Sequence, residues 1–184
     1  DGNDPEFQER IQLYSPAEYR RADYIAGKTR FASEGEIYFC VGSILRFAPF
    51  IRKIFIVTDD QYPEGLDEFV KLNFPDTTTA IEIVTHKTIF EGYEKYLPTF
   101  NSATIETMLF RIPGLSEHFV FFNDDFFLLS DIDTEEWYKD GKSVAVGWWK
   151  SLILGDFLSF VKPRKKGKRP LGFKDRMRRT AHFL

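Results

Sequence analysis

The stretch IRKIFIVTDDQYPEGLDEFVKLNFPDTTTAIEIVTH, residues 51–86, decides the fold class. Its first part, IRKIFIVT (51–58), is short and rich in β-branched and aromatic residues, and it runs into the polar DDQYPEG. That pattern reads as a strand leaving for a loop. Residues 64–73 follow as a helix and AIEIVTH, 80–86, as a second strand. Strands alternating with helices argue an α/β fold with a mostly parallel sheet flanked by helices.

The same alternation continues outward in both directions. Upstream, EIYFCVGSILRFA (36–48) combines helical periodicity with apolar character and is closed by Pro49, so a partly buried helix is expected despite Gly42. Before it, SPAE at 15–18 is a helix start, with Ser15 as N-cap, Pro16 as first helical residue and Glu18 as capping-box partner; Gly27 ends that helix. Downstream, 101–112 reads as a helix capped by Asn101 or Ser102 and stopped by Pro113-Gly114, with Ile105, Leu109 and Ile112 on its apolar face. HFVFF (118–122) is expected as a third strand, 134–139 as a short helix and SVAVG (143–147) as a fourth strand. FKDRMRRTAHFL, 173–184, has a helical pattern.

A chain of 184 residues can bury one sizeable core. With 43% apolar and 29% charged residues it has globular composition and not that of a disordered chain. The single cysteine, Cys40, has no internal partner for a disulfide, which fits a reducing compartment and a packing role. No run approaches the length of a membrane span. The net charge of −3 hides an asymmetry: residues 162–179 carry ten Lys or Arg and one acid, a net of +9, so the remainder sums to −12. A basic segment on an acidic body suits an anionic partner (a membrane surface, nucleic acid or an acidic polymer) or is simply a solvated loop. The expected organisation is a catalytic α/β domain over 1–161, then a basic segment that begins a further helical region over 162–184. Opening on the turn residues DGNDP and stopping within a helical pattern, the sequence reads as a piece of a longer chain.

Ligands of open α/β sheets bind beyond the carboxyl ends of the strands. The three candidate strands end in Thr58, Asp59 and Asp60, in Thr85 and His86, and in Asn123, Asp124 and Asp125. If the strands are parallel neighbours, these ends form one polar rim. Adjacent carboxylates there suit Mg²⁺ or Mn²⁺, hard cations that favour oxygen ligands and often share them with substrate phosphates. An Asp-Asp pair is also ordinary turn chemistry. Thr99, Asn101 and Ser102 precede or open a helix, where free N–H groups attract phosphate or are simply capped. His86 reads as a base, a ligand or a structural histidine; His118 and His182 read as structural. Arg111, toward the end of its helix, could pair with phosphate or with the helix dipole. No Walker loop, nucleophile elbow, zinc spacing or GxGxxG is present. Aromatic residues interleave with aliphatic ones and not with basic ones, which argues against nucleic-acid binding.

Several spaced blocks in order resemble the Stealth family of sugar-phosphate transferases. These are DGNDP (1–5), GEIYFCVGSILRFAPFIRKIFIVTDDQ (35–61), IVTHKTIF (83–90) and LPTFNSATIETMLFRIPGLSEHFVFFNDD (97–125). The resemblance implies a nucleotide-sugar-transferase-like scaffold (GT-A/Rossmann-like). It implies transfer of a hexose-1-phosphate from a UDP- or CMP-linked donor to an oligo- or polysaccharide hydroxyl, by attack at phosphorus and with a divalent cation. Asp124 and Asp125 would then be the metal and diphosphate end, with Asn123 in support. Asp1, Gly2 and Asp4 would lie near the donor, and Thr99, Asn101 and Glu106 would shape its pocket, with Arg111 and His86 as further contacts. A cytoplasmic setting is expected; separately, the charge of segment 162–169 suits docking on an anionic membrane or polymer.

The chain departs from the family at three places. Ser33 and Glu34 replace a common Asp-Asn pair, and Gly42 replaces an Arg before Ser-Ile. Loss of an Arg beside a phosphate removes a charge-assisted contact of roughly 1.5–3 kcal/mol. The family's later blocks, which supply basic and histidine residues, are not found, so the general base is expected outside this chain. A glycosyltransferase on the same scaffold and an inactive glycan-binding member are the competing readings.

Overall fold

A computed structural model describes residues 5–14 and 33–146. The chain divides into two units, Asp1–Val144 and Ala145–Leu184, and the description below concerns the first. The helices expected at 15–27 and 173–184, and the basic segment, lie outside the described residues.

The core is built on a parallel pair. Strand β1 (Lys53–Thr58) and strand β2 (Ala80–Thr85) run in register from Lys53 opposite Ala80 to Thr58 opposite Thr85. Successive side chains of a strand point to opposite faces, and both faces are covered. Ile54, Ile56, Ile81 and Ile83 pack with Val41 and Leu45 of helix α2 (Glu36–Phe47) and with Leu66 and Phe69 of helix α3 (Leu66–Asn73). On the other face Phe55, Val57 and Val84 pack with Ile89, Phe90, Ile105, Leu109 and Ile112. This is the expected α/β arrangement, with α3 as the crossover between parallel strands.

Helix α2 begins at Gly35, whose φ of 86° places it in the left-handed region. The Glu36 carboxylate accepts from the Glu34 N–H at 2.8 Å and from the Ser33 hydroxyl at 3.2 Å. Ser33 and Glu34 therefore serve the helix start in this chain. Gly42 is buried, and a Cβ there would lie 3.2 Å from Phe69 Cζ. The position packs against α3, while its chain neighbour Val41 lines the larger cleft described below.

Four expected elements are corrected. The region 101–112 is not one helix: α5 spans Ser102–Glu106 and a separate 3₁₀ turn spans Leu109–Arg111. The Thr107 hydroxyl donates to the Thr104 carbonyl at 2.7 Å, a local bond of the kind that competes with helix continuation. The apolar face nevertheless survives the break, because Leu109 and Ile112 are buried and Ile105 packs beside them. Residues 118–122 form no strand. Their contacts go elsewhere: Tyr138 Oη donates to the Phe119 carbonyl at 2.8 Å, the His118 ring packs edge-on against Tyr138 and Phe122 against Trp137.

The expected helix over 134–139 is short. Helix α6 is Thr134–Trp137, opened by an Asp133–Glu136 capping box, and it gives way to strand β3 (Tyr138–Lys139). The expected strand at 143–147 is reduced to β4 (Lys142–Ser143), antiparallel to β3. Between them Asp140 and Gly141 have φ of 52° and 73°. Positive φ at both central residues is what a two-residue hairpin turn requires. The first helix, α1 (Pro5–Tyr14), was not anticipated.

Candidate functional site

The carboxyl ends of β1 and β2 emerge side by side because the strands are parallel and in register. After β1 the chain turns sharply. The Thr58 hydroxyl donates to the Gln61 carbonyl at 2.7 Å, and Asp60 adopts a φ of 61°. This turn presents Asp59 and Asp60 at the strand end. After β2 the chain enters helix α4 (His86–Ile89), capped by the Thr85 hydroxyl, which accepts from the Thr88 N–H. The cap fixes His86 as the first residue beyond the strand.

These two ends meet. Asp59 Oδ1 lies 3.8 Å from His86 Nδ1, and Asp59 Oδ2 accepts from Arg10 Nη1 of α1 at 2.8 Å. Asp60 pairs with Lys87. His86 is only 8% exposed and its Nδ1 is buried without a hydrogen-bond partner, as is Arg10 Nε. A buried polar group left unpaired costs about 1–3 kcal/mol, so two of them around one carboxylate single out this polar cluster. Burial pushes the His86 pKa below its ordinary value; Asp59 and Asp60 oppose that shift and Arg10 adds to it. Helix α1 is also held by the Phe7 ring, edge-on to Phe100 at 5.6 Å, and by the buried Ile11.

Asn123, Asp124 and Asp125 form a turn: the Asn123 carbonyl accepts from the Phe126 N–H at 3.1 Å, which leaves both aspartates exposed as its central residues. One face of α2 holds the turn. The Cys40 thiol approaches the Asn123 carbonyl at 3.7 Å, and the Ser43 hydroxyl accepts from the Leu128 N–H at 3.0 Å. The Cys40 thiol pKa is pushed up to about 11, first by burial and then by the charges of Asp124 and Asp125. The acids thus stand at the mouth of a core helix and are not buried among the phenylalanines that flank them.

Two cavities open here. The larger, of about 1590 Å³, is lined by Thr58, Glu106, Asn123 and Asp124, among other residues. The smaller, of about 190 Å³, is lined by Phe7, Asp59, His86, Thr99, Phe100, Ser102 and Ile105. Phe7, Ser102 and Ile105 line both. Of the residues singled out from sequence, the larger cleft therefore gathers Glu106, Asn123 and Asp124, and the smaller His86 and Thr99. Asp125 shares the turn with Asp124. Asn101 caps α5, its side chain accepting from the Ala103 N–H at 3.1 Å. Arg111 lines neither cavity: it donates to the Glu91 carbonyl at 2.7 Å and stacks over the Tyr93 ring. Asp1, Gly2 and Asp4 lie outside the described residues.

Sequence reasoning missed Arg10 and Phe7, and it read Asp59 and Ser102 only as a rim residue and a cap. A signal for α1 was present: Pro follows Asp at 4–5, and Phe7 and Ile11 stand four apart, as on one helical face.

Among the described residues no three His, Cys, Asp or Glu side chains cluster in a way that could hold a metal alone. Asp124 and Asp125 offer two carboxylates on one exposed turn. That donor set fits Mg²⁺ or Mn²⁺ shared with substrate phosphates and does not fit an all-protein cage.

Residues 30–146 match the family Stealth protein CR2, conserved region 2. A capsular polysaccharide phosphotransferase of Actinobacillus suis is 39% identical over 140 residues, 76% of this chain and 35% of the relative. The capsular polysaccharide phosphotransferase LcbA of Neisseria meningitidis is 37% identical over 138 residues, 75% of this chain and 35% of the relative. The exopolysaccharide phosphotransferase SCO6021 of Streptomyces coelicolor is 42% identical over 128 residues, 70% of this chain and 22% of the relative. The matched part of the chain thus spans only about a third of the length of its capsular relatives.

Proposed function

The chain belongs to the Stealth family, and from that premise we propose that it takes part in transfer of a hexose-1-phosphate, or a related sugar phosphate, from a nucleotide diphosphate sugar to a sugar hydroxyl. The setting is synthesis of capsular or other cell-surface polysaccharide, in keeping with the names of its relatives. The observation that carries the reading is a cleft that runs along β1 from Arg52 to Thr58 and brings Glu106, Asn123 and Asp124 together with Thr58, the residue at the carboxyl end of that parallel strand. That is where an α/β sheet of nucleotide-sugar-transferase type (GT-A/Rossmann-like) binds its donor.

In this reaction the hydroxyl attacks phosphorus and the nucleoside monophosphate leaves. Positioning and charge stabilisation are the protein's main tasks. Asp124 and Asp125 would hold Mg²⁺ or Mn²⁺, with the Asn123 carbonyl fixing their turn. When bound, the cation supplies charge neutralisation to the diphosphate. Glu106 and Thr99 shape the pocket, and Asn101 fixes the start of α5 beside it. Asp1, Gly2 and Asp4 keep the donor-side role that the family motif assigns them. The donor is UDP- or CMP-linked and the acceptor an oligo- or polysaccharide.

The full-length protein, incubated with Mg²⁺ and a panel of UDP- and CMP-sugars, should release the nucleoside monophosphate. Release of the diphosphate would make it a glycosyltransferase and overturn the proposal. Calorimetry showing no nucleotide-sugar binding would make it an inactive glycan-binding member. Asp124→Ala should lower turnover at least about a hundredfold, ~2.7 kcal/mol in the barrier; full turnover in that variant would remove Asp124 from the metal role.

The enzyme's place is proposed to be the cytoplasmic side of the membrane, with residues 162–169 on anionic lipid. No helix of the described residues is long and apolar enough to cross a membrane. Charge reversal of Lys165, Lys166 and Lys168 should abolish flotation with anionic vesicles. Flotation that persists would refute the contact.

A further inference from the structure

The smaller cavity carries a group that the transfer reading has not used. His86 lines it, nine-tenths buried, with Nδ1 turned to Asp59 at 3.8 Å and orphaned of any hydrogen bond. The ring nitrogen that remains for a ligand is Nε2. Around the same cavity stand the hydroxyl-bearing Thr99 and Ser102 and the aromatic rings of Phe7 and Phe100. Hydroxyls and an imidazole beside aromatic faces suit a sugar, which offers apolar C–H faces and hydroxyls together. At about 190 Å³ the space is of the order of one sugar ring. Asp59 is itself fixed from the far side, because Arg10 Nη1 donates to its other oxygen at 2.8 Å. An imidazole backed by an anchored carboxylate is the arrangement that orients a histidine for proton transfer, and such bonds are often long before substrate binds.

Where the family resemblance set the general base outside this chain, we propose instead that His86 is the group that takes the proton of the attacking sugar hydroxyl, with Asp59 as its positioning residue and Arg10 as the anchor of Asp59; this rests on the transfer reading above. As the hydroxyl oxygen bonds to phosphorus, its proton passes to His86 Nε2. The bond from phosphorus to the nucleoside monophosphate oxygen breaks, and that oxygen keeps the electron pair. Asp59 then faces the imidazolium that has formed. Burial favours the neutral ring at the start, which is the state a base requires. The charged groups facing the ring are Asp59 and Asp60 beyond β1 and Arg10 of α1; Lys87, next in the chain, is engaged by Asp60.

The test is nucleoside monophosphate release by the full-length protein from UDP- and CMP-sugars with an oligosaccharide acceptor, followed against pH. His86→Gln should lower kcat by about a hundredfold to ten-thousandfold with a donor KM close to wild type. Asp59→Asn should lower kcat about tenfold to a hundredfold. It should also move the acid limb of the profile to lower pH, because the carboxylate that favours the protonated ring is gone. Arg10→Gln should move the same limb to higher pH, because the guanidinium that disfavours the protonated ring is gone. Opposite displacements are not expected from damage to folding, so they decide the matter even if His86→Gln fails to fold. If wild type releases monophosphate but the limb stays put in both flanking variants, or His86→Gln stays within threefold of wild type, the inference falls alone. If wild type releases the diphosphate or nothing, the transfer reading falls and takes the inference with it.

Discussion

The β1–α3–β2 unit and the segment from 118 to 131 are both rich in apolar residues, yet they fold on different terms. In the first, apolar side chains stand on both faces of the strands, and each face meets helices. In the second, Phe119, Val120, Phe121, Phe126 and Phe127 are each at least 39% exposed, and no strand ladder forms. The difference shows that apolar content alone does not make a strand. A strand needs a partner edge and two covered faces. The segment from 118 to 131 is instead fixed at separate points, by Tyr138, Trp137 and the α2 contacts of the Asn123 turn.

Mutations sharpen that contrast. Ile89 is 0% exposed and Phe126 is 58% exposed. Ile89→Ala should destabilise by about 2–5 kcal/mol, whereas Phe126→Ala should stay within about 0.5 kcal/mol. Urea unfolding of both variants measures the gap, and equal midpoints would erase the distinction drawn here. Gly42→Leu comes next. Its side chain meets Phe69 at the α2–α3 contact, so a loss of about 1–3 kcal/mol from overpacking is expected; unchanged stability would mean that Phe69 moves aside freely. The smallest effect is a pH dependence. The His86 pKa is lower in the native state than its ordinary value of 6.5, so between the two values the unfolded chain holds more protons than the folded one. The stability linked to His86 is therefore fully present above 6.5 and is lost as pH falls from there through the native value. Thermal melts of His86→Gln should show a flatter slope over that interval than wild type.

Much of this was legible in the residues. The β-branched and aromatic runs KIFIVT and AIEIVT forecast two strands, and the periodicity of EIYFCVGSILRF forecast α2. The meeting of Asp59 and His86 followed from strand ends, whereas Asp124 ends no strand and lines the other cavity. Other features resisted for physical reasons. The run HFVFF has strand composition, but whether it pairs depends on contacts with Trp137 and Tyr138 that no local pattern encodes. The Asp-Gly turn at 140–141 was a readable hairpin signal, but the apolar residues after it suggested one longer strand. Arg10 could not be foreseen at Asp59, because that ion pair joins positions far apart in sequence and depends on how α1 docks.

Helix α2 has two opposed faces with different tasks. Gly42 and its neighbours Val41 and Leu45 meet the sheet and α3, while Cys40 and Ser43, one turn apart, grip the turn that bears Asp124 and Asp125. The helix is thus a spacer of fixed thickness between the hydrophobic interior and the paired acids. A change in packing on the Phe69 side therefore bears, through Cys40 and Ser43, on the turn that carries the carboxylates.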